Sequence, residues 1–297
     1  MDLTTDLVIK ELPEVPVFRF NIDLWRDYGW KLNGFGYHLQ DPIGRNCHSD
    51  EVKAVYIRKL FFNPPRIDQP AEGSEEAWCR EEVMQLWHGI HDLAQEQKLL
   101  ALVKPSPFGR WTKVRQMHVA QKFFHIPTWE MFHGETAPDI NPAVVKTQGT
   151  QAPGGGGTVM VKEVDVSQLG SAYPWFVQQQ MTAATHDVTV VYIAGQCFAF
   201  ECSRDQFACT DCRIPTATGQ AKWTRIHLNC TEESAVQKFM HETGHHFGRL
   251  DFLRDPEGLW FLELNPNGQY AWLDPDGREG VLKAIAAEIM QVHSGQA

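Results

Sequence analysis

The stretch from Leu250 to Leu273, LDFLRDPEGLWFLELNPNGQYAWL, constrains the fold most, because it reads as a β-hairpin that sets two carboxylates and an amide around a cation. Leu250, Phe252 and Leu253 lead into Asp255-Pro256-Glu257-Gly258. That sequence suits a three-residue loop with Pro256 at the first corner of a type I turn and Gly258 as the left-handed residue. The returning strand runs from Leu259 to Asn265, so Asp251 falls opposite Glu263, and Asn265 follows on the same face because side chains alternate with period two. Facing acids with Cβ atoms ~5 Å apart repel, and a cation between them removes that cost. Asp, Glu and Asn oxygens are hard ligands suited to magnesium, whose shell is completed by water and substrate phosphates. The same local pattern also fits an exposed strand pair whose acids face water.

The chain has 297 residues and a net charge of −10, with no dense Lys/Arg patch, which argues against a nucleic-acid-binding surface. No apolar run reaches the ~20 residues of a membrane span, and Met1-Asp2 lacks the basic-then-apolar order of a signal peptide. The expectation is a cytoplasmic protein with no membrane partner. Seven scattered cysteines fit reduced thiols better than a disulfide framework. Cys209-Thr210-Asp211-Cys212, with Cys202 and Cys230 around it, lacks the second paired spacing of a structural zinc site.

Three blocks follow along the chain, and the fold class expected is α+β. Residues 1–105 form an α/β subdomain, with a helix Thr4 to Leu12, strands Val15 to Phe20 and Ala54 to Lys59, and a long helix Ser74 to Gln97 capped by Ser74. Trp78, Val83, Leu86, Ile90 and Leu93 supply that helix's apolar face. Residues 106–181 hold a helix Thr112 to Phe124, a strand near Pro127 to Met131, a strand Ala143 to Lys146, and a loop Thr147 to Gly157 with five glycines, followed by a strand Thr158 to Lys162. Backbone N–H groups at glycines such as Gly155 and Gly156 can approach a phosphate closely, and Lys146 stands at the rim of that loop. A flexible linker has the same composition, and the spacing is not that of a P-loop. Residues 182–297 hold a hairpin of Asp187 to Ile193 and Cys197 to Glu201 around Ala194-Gly195, a helix Thr231 to Phe247, the opening hairpin, and a helix Gly280 to Val292.

His241-Glu242-Thr243-Gly244-His245 matches the zinc-protease pattern, with Asp251 in range of a third ligand. Helical phase argues against it. Val236, Phe239, Met240, Thr243 and Phe247 form one apolar stripe, which leaves His241 and His245 on the opposite side, and Gly244 weakens the helix.

Taken in order, Lys113 in WTKVRQMHVA, Lys146 in VVKTQGT, the glycine-rich loop, FVQQQM at 176–181, DVTVVYIAG at 187–195, and Asp251 with FLELNPNGQ at 261–269 resemble an ATP-grasp ligase. NPNGQYAWL and the upstream VYIRK at 55–59 are similar to the microviridin-type ribosomal peptide maturases, the graspetide synthetases. The resemblance covers most of the chain. It implies a nucleotide held between two antiparallel β-sheets, with residues 1–105 preceding a central subdomain 106–181 and a C-terminal subdomain 182–297 that carries the metal site. It implies ATP and Mg2+ as cofactors. Lys113, Lys146, Gly155 and Gly156 would meet nucleotide phosphates, Gln178, Gln179 and Met181 would form the hinge against adenine, and Asp251, Glu263 and Asn265 would hold magnesium. Lys146, Arg225 and Asn265 are the expected catalytic residues.

The implied reaction phosphorylates a carboxylate to an acyl phosphate, which a hydroxyl or amine attacks to give an ester or amide. The implied partner is a precursor peptide with a leader segment and a core bearing acidic and hydroxyl side chains; a homodimer is left open. This chain departs from the family at Thr189, where an Arg is usual, at Gln179, where glutamate is common, and at Trp223-Thr224-Arg225, where a Trp-Arg pair is usual. A one-residue slip makes Arg225 the equivalent of the latter. A non-catalytic ATP-grasp relative that only binds a partner peptide is the alternative, and the zinc protease is a third reading.

Overall fold

The structure is a computed structural model that describes residues 3–58, 71–103, 111–134, 138–146, 161–171, 173–207 and 221–296. Gly155 and Gly156, most of the strand expected after them, and Cys209 and Cys212 lie outside the described residues. The chain divides into two compact units, one of Met1–Pro107, His245–Phe247 and Gln269–Ala297, the other of Phe108–Gly244 and Gly248–Gly268.

The first unit contains α1 (Leu3–Lys10), a three-stranded sheet of β1 (Gly29–Asn33), β2 (Gly36–Gln40) and β3 (Asn46–His48), the short parallel pair β4 (Val55–Tyr56) and β5 (Leu100–Ala101), the long α2 (Glu75–Glu96), and α5 (Val281–His293). Ser74 caps α2 by accepting the Ala77 N–H. Val83, Leu86, Trp87 and Ile90 of α2 pack with Leu39, and Phe18, Phe20 and Tyr37 cover them. The burial stripe is displaced from the expected one at the helix start: Trp78 is 63 % exposed, while Trp87 is buried. Residues Val15 to Phe20 do not form the expected strand. Pro16 removes a ladder donor, and the segment is held instead by Phe20, which meets Trp87 edge-on, and by Tyr28 Oη, which donates to the Arg19 carbonyl at 3.1 Å. Among the described residues, no helix is long and apolar enough to cross a membrane.

The second unit is built on two sheets. A four-stranded antiparallel sheet has the order β6-β9-β7-β8, where β6 is Trp129–Phe132, β7 Ala143–Lys146, β8 Lys162–Val164 and β9 Trp175–Gln179. A five-stranded sheet has the order β12-β11-β10-β13-β14, from β10 (His186–Ile193), β11 (Gln196–Ser203), β12 (Thr224–Ile226), β13 (Phe247–Asp255) and β14 (Gly258–Asn265). The β10–β11 hairpin forms as expected, with Ala194 and Gly195 at φ +42° and +98°. Residues 180–185 are the link from the smaller sheet to the larger.

Helices α3 (Lys113–Ala120) and α4 (Cys230–Glu242) close one face of the larger sheet around a core that includes Met117, Val190, Phe239, Leu250, Phe252, Phe261 and Leu264. Phe124 stacks on Phe261 at 5.6 Å and meets Phe252 edge-on at 5.1 Å. Asn229 and Glu232 form a capping box that starts α4. The helix ends five residues short of the expected Phe247 because Gly244, at φ +68°, turns the chain out of it. Helix α3 also stops at Ala120, before the expected Phe124.

Candidate active site

Asp251 lies opposite Glu263, as the sequence predicts, but by a different path. The turn is tighter than the expected three-residue loop: Asp255 pairs with Gly258, leaving Pro256 and Glu257 at the tip. The ladder therefore starts one residue out of step, and a β-bulge between Asp251 and Phe252 on one strand, with Leu262 the extra residue on the other, restores the pairing. The bulge decides which way Glu263 faces. Leu259 and Phe261 point into the core, so strict alternation would send Glu263 after them. With the phase shifted, Leu264 returns to the core while Glu263 and Asn265 emerge on the opposite face beside Asp251.

The acids are tied into one polar cluster. Asn265 Nδ2 donates to Asp251 Oδ2 at 3.2 Å and to Glu263 Oε1 at 2.9 Å. Thr189 on β10 donates its hydroxyl to Asp251 Oδ1 at 2.8 Å. Arg249, two residues before Asp251 and on the same face, donates to Asp251 Oδ2 at 2.9 Å. Lys113 Nζ donates to Glu263 Oε2 at 2.5 Å.

Lys113 is aimed by its helix. It is the first residue of α3, whose cap Thr112 accepts the Arg115 N–H at 3.3 Å. Three residues on, and so on the same side of the helix, buried Gln116 accepts the Leu264 N–H at 2.8 Å and fixes α3 to β14. Burial disfavours the ionised form of Glu263, but the Lys113 ammonium, its hydrogen bond, the Asn265 amide and Lys146 together outweigh that and hold the carboxyl down at about 2.

Lys146 ends β7 and donates to Gln178 Oε1 at 2.6 Å. Its ammonium is pushed down to about 8, first by burial and then by Lys113, against the attraction of Glu263, Asp251 and Asp187. Lys146 is thus in electrostatic reach of the acids on the other sheet. Gln178 is buried and orients Lys146. Gln179 is exposed, with its backbone N–H donated to the Thr128 carbonyl at 2.7 Å, and Met181 lies in the link between the sheets.

Arg225 on β12 sits opposite Phe200, which sits opposite Thr189, so it shares the face that carries Asp251. Its guanidinium donates to the Ala199 carbonyl at 3.0 Å and lies over the rings of Phe198 and Phe200 at 5.0 and 5.1 Å. The structure therefore brings together Lys113, Lys146, Gln178, Asp251, Glu263 and Asn265, and places Arg225 along the same row, with two strands between it and the strand of Asp251.

Four contributors escaped the sequence reading: Gln116, Arg249, Asp187, and Thr189 as a partner of Asp251. Asp187 pairs with Arg204 at 2.7 Å and shares its face with Thr189. The period-two pairs Asp187/Thr189 and Arg249/Asp251 were the available signal.

The zinc pattern dissolves. His241 is on α4, but the helix ends at Glu242 and Gly244 is left-handed, so His245 does not follow one turn later on the same helix. Glu242 is occupied by Lys122 at 3.3 Å. Among the described residues, no group of three or more His, Cys, Asp or Glu side chains is placed to hold a metal.

No family model matches the chain, and no curated protein sequence matches it. Solved structures do. The macrocyclase MdnC from Microcystis aeruginosa MRC, bound with precursor peptide MdnA, matches with a TM-score of 0.75 and 19 % identity over 98 % of this chain and 96 % of that one. A Chryseobacterium gregarium RiPP-associated ATP-grasp ligase, in complex with ADP and a leader and core peptide, matches at 0.73 and 18 % identity over 100 % and 93 %. The ATP-grasp ligase PsnB, complexed with minimal precursor, Mg and ADP, matches at 0.70 and 15 % identity over 97 % and 94 %. The likenesses run along nearly the whole chain, which has the ATP-grasp fold.

Proposed function

We propose that this protein is an ATP- and magnesium-dependent carboxylate ligase that forms ester or amide bonds between side chains of a ribosomal precursor peptide. The observation that carries the reading is the convergence of Asp251, Glu263 and Asn265 with Lys113 and Lys146. A protein that only bound a peptide would have no use for paired acids held against repulsion. Solved ligases of the same fold that hold ADP, Mg and precursor peptides support it. The division into 1–105, 106–181 and 182–297 belongs to the same proposal, with Lys113, Lys146 and Gln178 supplied by the central part and the acids by the last.

The donor set fits magnesium: two carboxylates and an amide whose Oδ1 would turn inward by rotation of the terminal torsion. Bound there, the ion would neutralise charge on the phosphates and hold them in line. Lys113 and Lys146 would take phosphate oxygens, and Thr189 and Arg249 hold Asp251 in position. Gln178 keeps Lys146 directed at the site, and residues Gln178, Gln179 and Met181 would offer backbone and side-chain partners to the purine rim. Gly155 and Gly156 belong to the proposal as phosphate-covering residues, and Arg225 as a cation on the acceptor side of the row. In the reaction, a substrate carboxylate oxygen bonds to the γ-phosphorus as the bond to the β–γ bridging oxygen breaks, and ADP leaves with that electron pair. A hydroxyl or amine then attacks the acyl carbon, inorganic phosphate departs, and the nucleophile loses its proton.

Incubation with ATP, magnesium and a precursor peptide encoded beside the gene tests this. The peptide should lose one water per bond formed, with ADP and phosphate released in equal number. Peptide binding with no ADP formed at any magnesium concentration would leave the non-catalytic alternative.

A further inference from the structure

We propose that His38 and His48 form a binding site for a divalent transition ion, copper(II) above all, on the outer face of the three-stranded sheet. The inference concerns the first unit alone and stands independently of the ligase reading.

Strand pairing brings the two imidazoles together. His38 on β2 lies opposite His48 on β3. Asp41 donates its N–H to the Arg45 carbonyl and Ser49 donates its own to the Tyr37 carbonyl, both at 3.0 Å. Those positions are therefore the hydrogen-bonded ones, and alternation makes His38 and His48 a non-hydrogen-bonded pair, where Cα atoms stand only ~4.5 Å apart. Their rings are stacked, with centroids 4.3 Å apart and planes within 11°. Tyr37, Leu39 and Cys47 turn the other way and pack with α2, so the histidines face water.

The hydrogen bonds around the pair are those of a metal ligand. Asn46 Oδ1 lies 2.9 Å from His38 Nε2 and also accepts from Gln40 Nε2 at 3.4 Å. An acceptor at that place puts the His38 proton on Nε2 and leaves the Nδ1 lone pair for an ion, just as a metal-bound imidazole donates its other N–H outward. The His48 ring has no hydrogen-bond partner among the described residues, so either of its nitrogens can serve.

Two imidazole nitrogens on one ion, each at ~2.0–2.1 Å, sit about 3 Å apart, so the rings need only tilt together by about an ångström. With two waters they complete the tetragonal plane that copper(II) favours, and copper heads the affinity order of the divalent first-row ions for nitrogen donors. Lys31, opposite His38 on β1, is exposed, and its flexible stem lets the ammonium swing away from an incoming cation. The bound ion would tie β3, an edge strand of three residues, to β2. No electron or proton is exchanged with the protein, since both ligand nitrogens carry lone pairs.

Copper(II) titration of the full chain without an affinity tag, followed by calorimetry and electron paramagnetic resonance, tests this. A first equivalent should bind at micromolar concentration with hyperfine structure from two imidazole nitrogens, and excess magnesium should not displace it. His38→Asn and His48→Asn should each weaken that equivalent at least about tenfold, and both should keep the wild-type circular dichroism. Asn46→Ala, which keeps both imidazoles and removes the acceptor, should weaken it about tenfold as well. Zinc should bind the pair more weakly than copper. An unchanged affinity and spectrum in the double variant His38→Asn/His48→Asn would put the ion on other residues and overturn the inference. Displacement by magnesium, or a wild-type chain that takes up no copper at micromolar concentration, would overturn it too.

Discussion

Asp251 and Glu263 meet across the β13–β14 ladder one residue out of step with the turn that joins their strands, and Leu262 absorbs the difference. The acids are thus set by a local irregularity as well as by the hairpin. Around them, Lys113, Arg249, Thr189 and Asn265 hold the charge of the pair in balance.

Because Leu262 is the extra residue of that bulge, deleting it should leave an unbroken ladder in which Phe261 still pairs with Phe252, Glu263 with Asp251 and Leu264 with Leu250. Leu264 then keeps its place in the core and Glu263 its face. The expected result is a Tm close to that of wild type by circular dichroism, with the magnesium response intact. A sharply lowered Tm or a lost magnesium response would show that the acids depend on the bulge itself.

Magnesium with ADP should raise the Tm of the wild-type protein, and Glu263→Ala or Asp251→Asn should remove most of that rise. Zinc should give no comparable shift, since the acids are oxygen ligands and no histidine joins them. Differential scanning fluorimetry with each metal checks both halves.

Burial, with Lys113 beside it, pushes the Lys146 ammonium down to about 8 from an ordinary 10.5. Phosphate charge raises a neighbouring ammonium, so binding should take up almost no proton at pH 7 and close to one proton above pH 8. Calorimetry in buffers of different ionisation enthalpy measures that uptake. It should vanish in Lys146→Met, and in Glu263→Gln its onset should move to lower pH, because Glu263 is the strongest of the acids that raise Lys146.

Thr189→Val keeps the shape of a buried side chain and removes one hydrogen bond to Asp251, worth about 1–2 kcal/mol. The magnesium concentration at half-maximal response should rise severalfold with the fold unchanged. An unaltered magnesium dependence would show that Asn265 and Arg249 suffice to orient Asp251.

The hairpin, the β10–β11 turn and helix α2 were legible because each combines a side-chain period with an end signal: Ser74 as a cap, Ala194-Gly195 and Pro256-Glu257-Gly258 as turns. The Asp251–Glu263 pairing was legible even though its mechanism was not, since a longer loop and a tighter turn with a bulge lead to the same partners. Gly34-Phe35, the two-residue loop between Asn33 and Gly36, is a hairpin signal that announces β1 and β2 and went unread, for the alternation of Trp30 and Leu32 in β1 is short and both side chains are exposed. Gln116 was invisible for another reason. Its role comes from a contact made 148 residues away, which no local pattern encodes.

The ion pair between Lys113 and Glu263 has a kinetic consequence. A bare divalent cation approaching the acids must displace an ammonium that has nowhere better to go, whereas a cation escorted by phosphates brings the ammonium its replacement partner. On the ligase reading, metal and nucleotide entering together would give the ammonium a phosphate in place of the carboxylate, and metal entering alone would not. The tethered lysine would then act as a placeholder that yields to the complete complex.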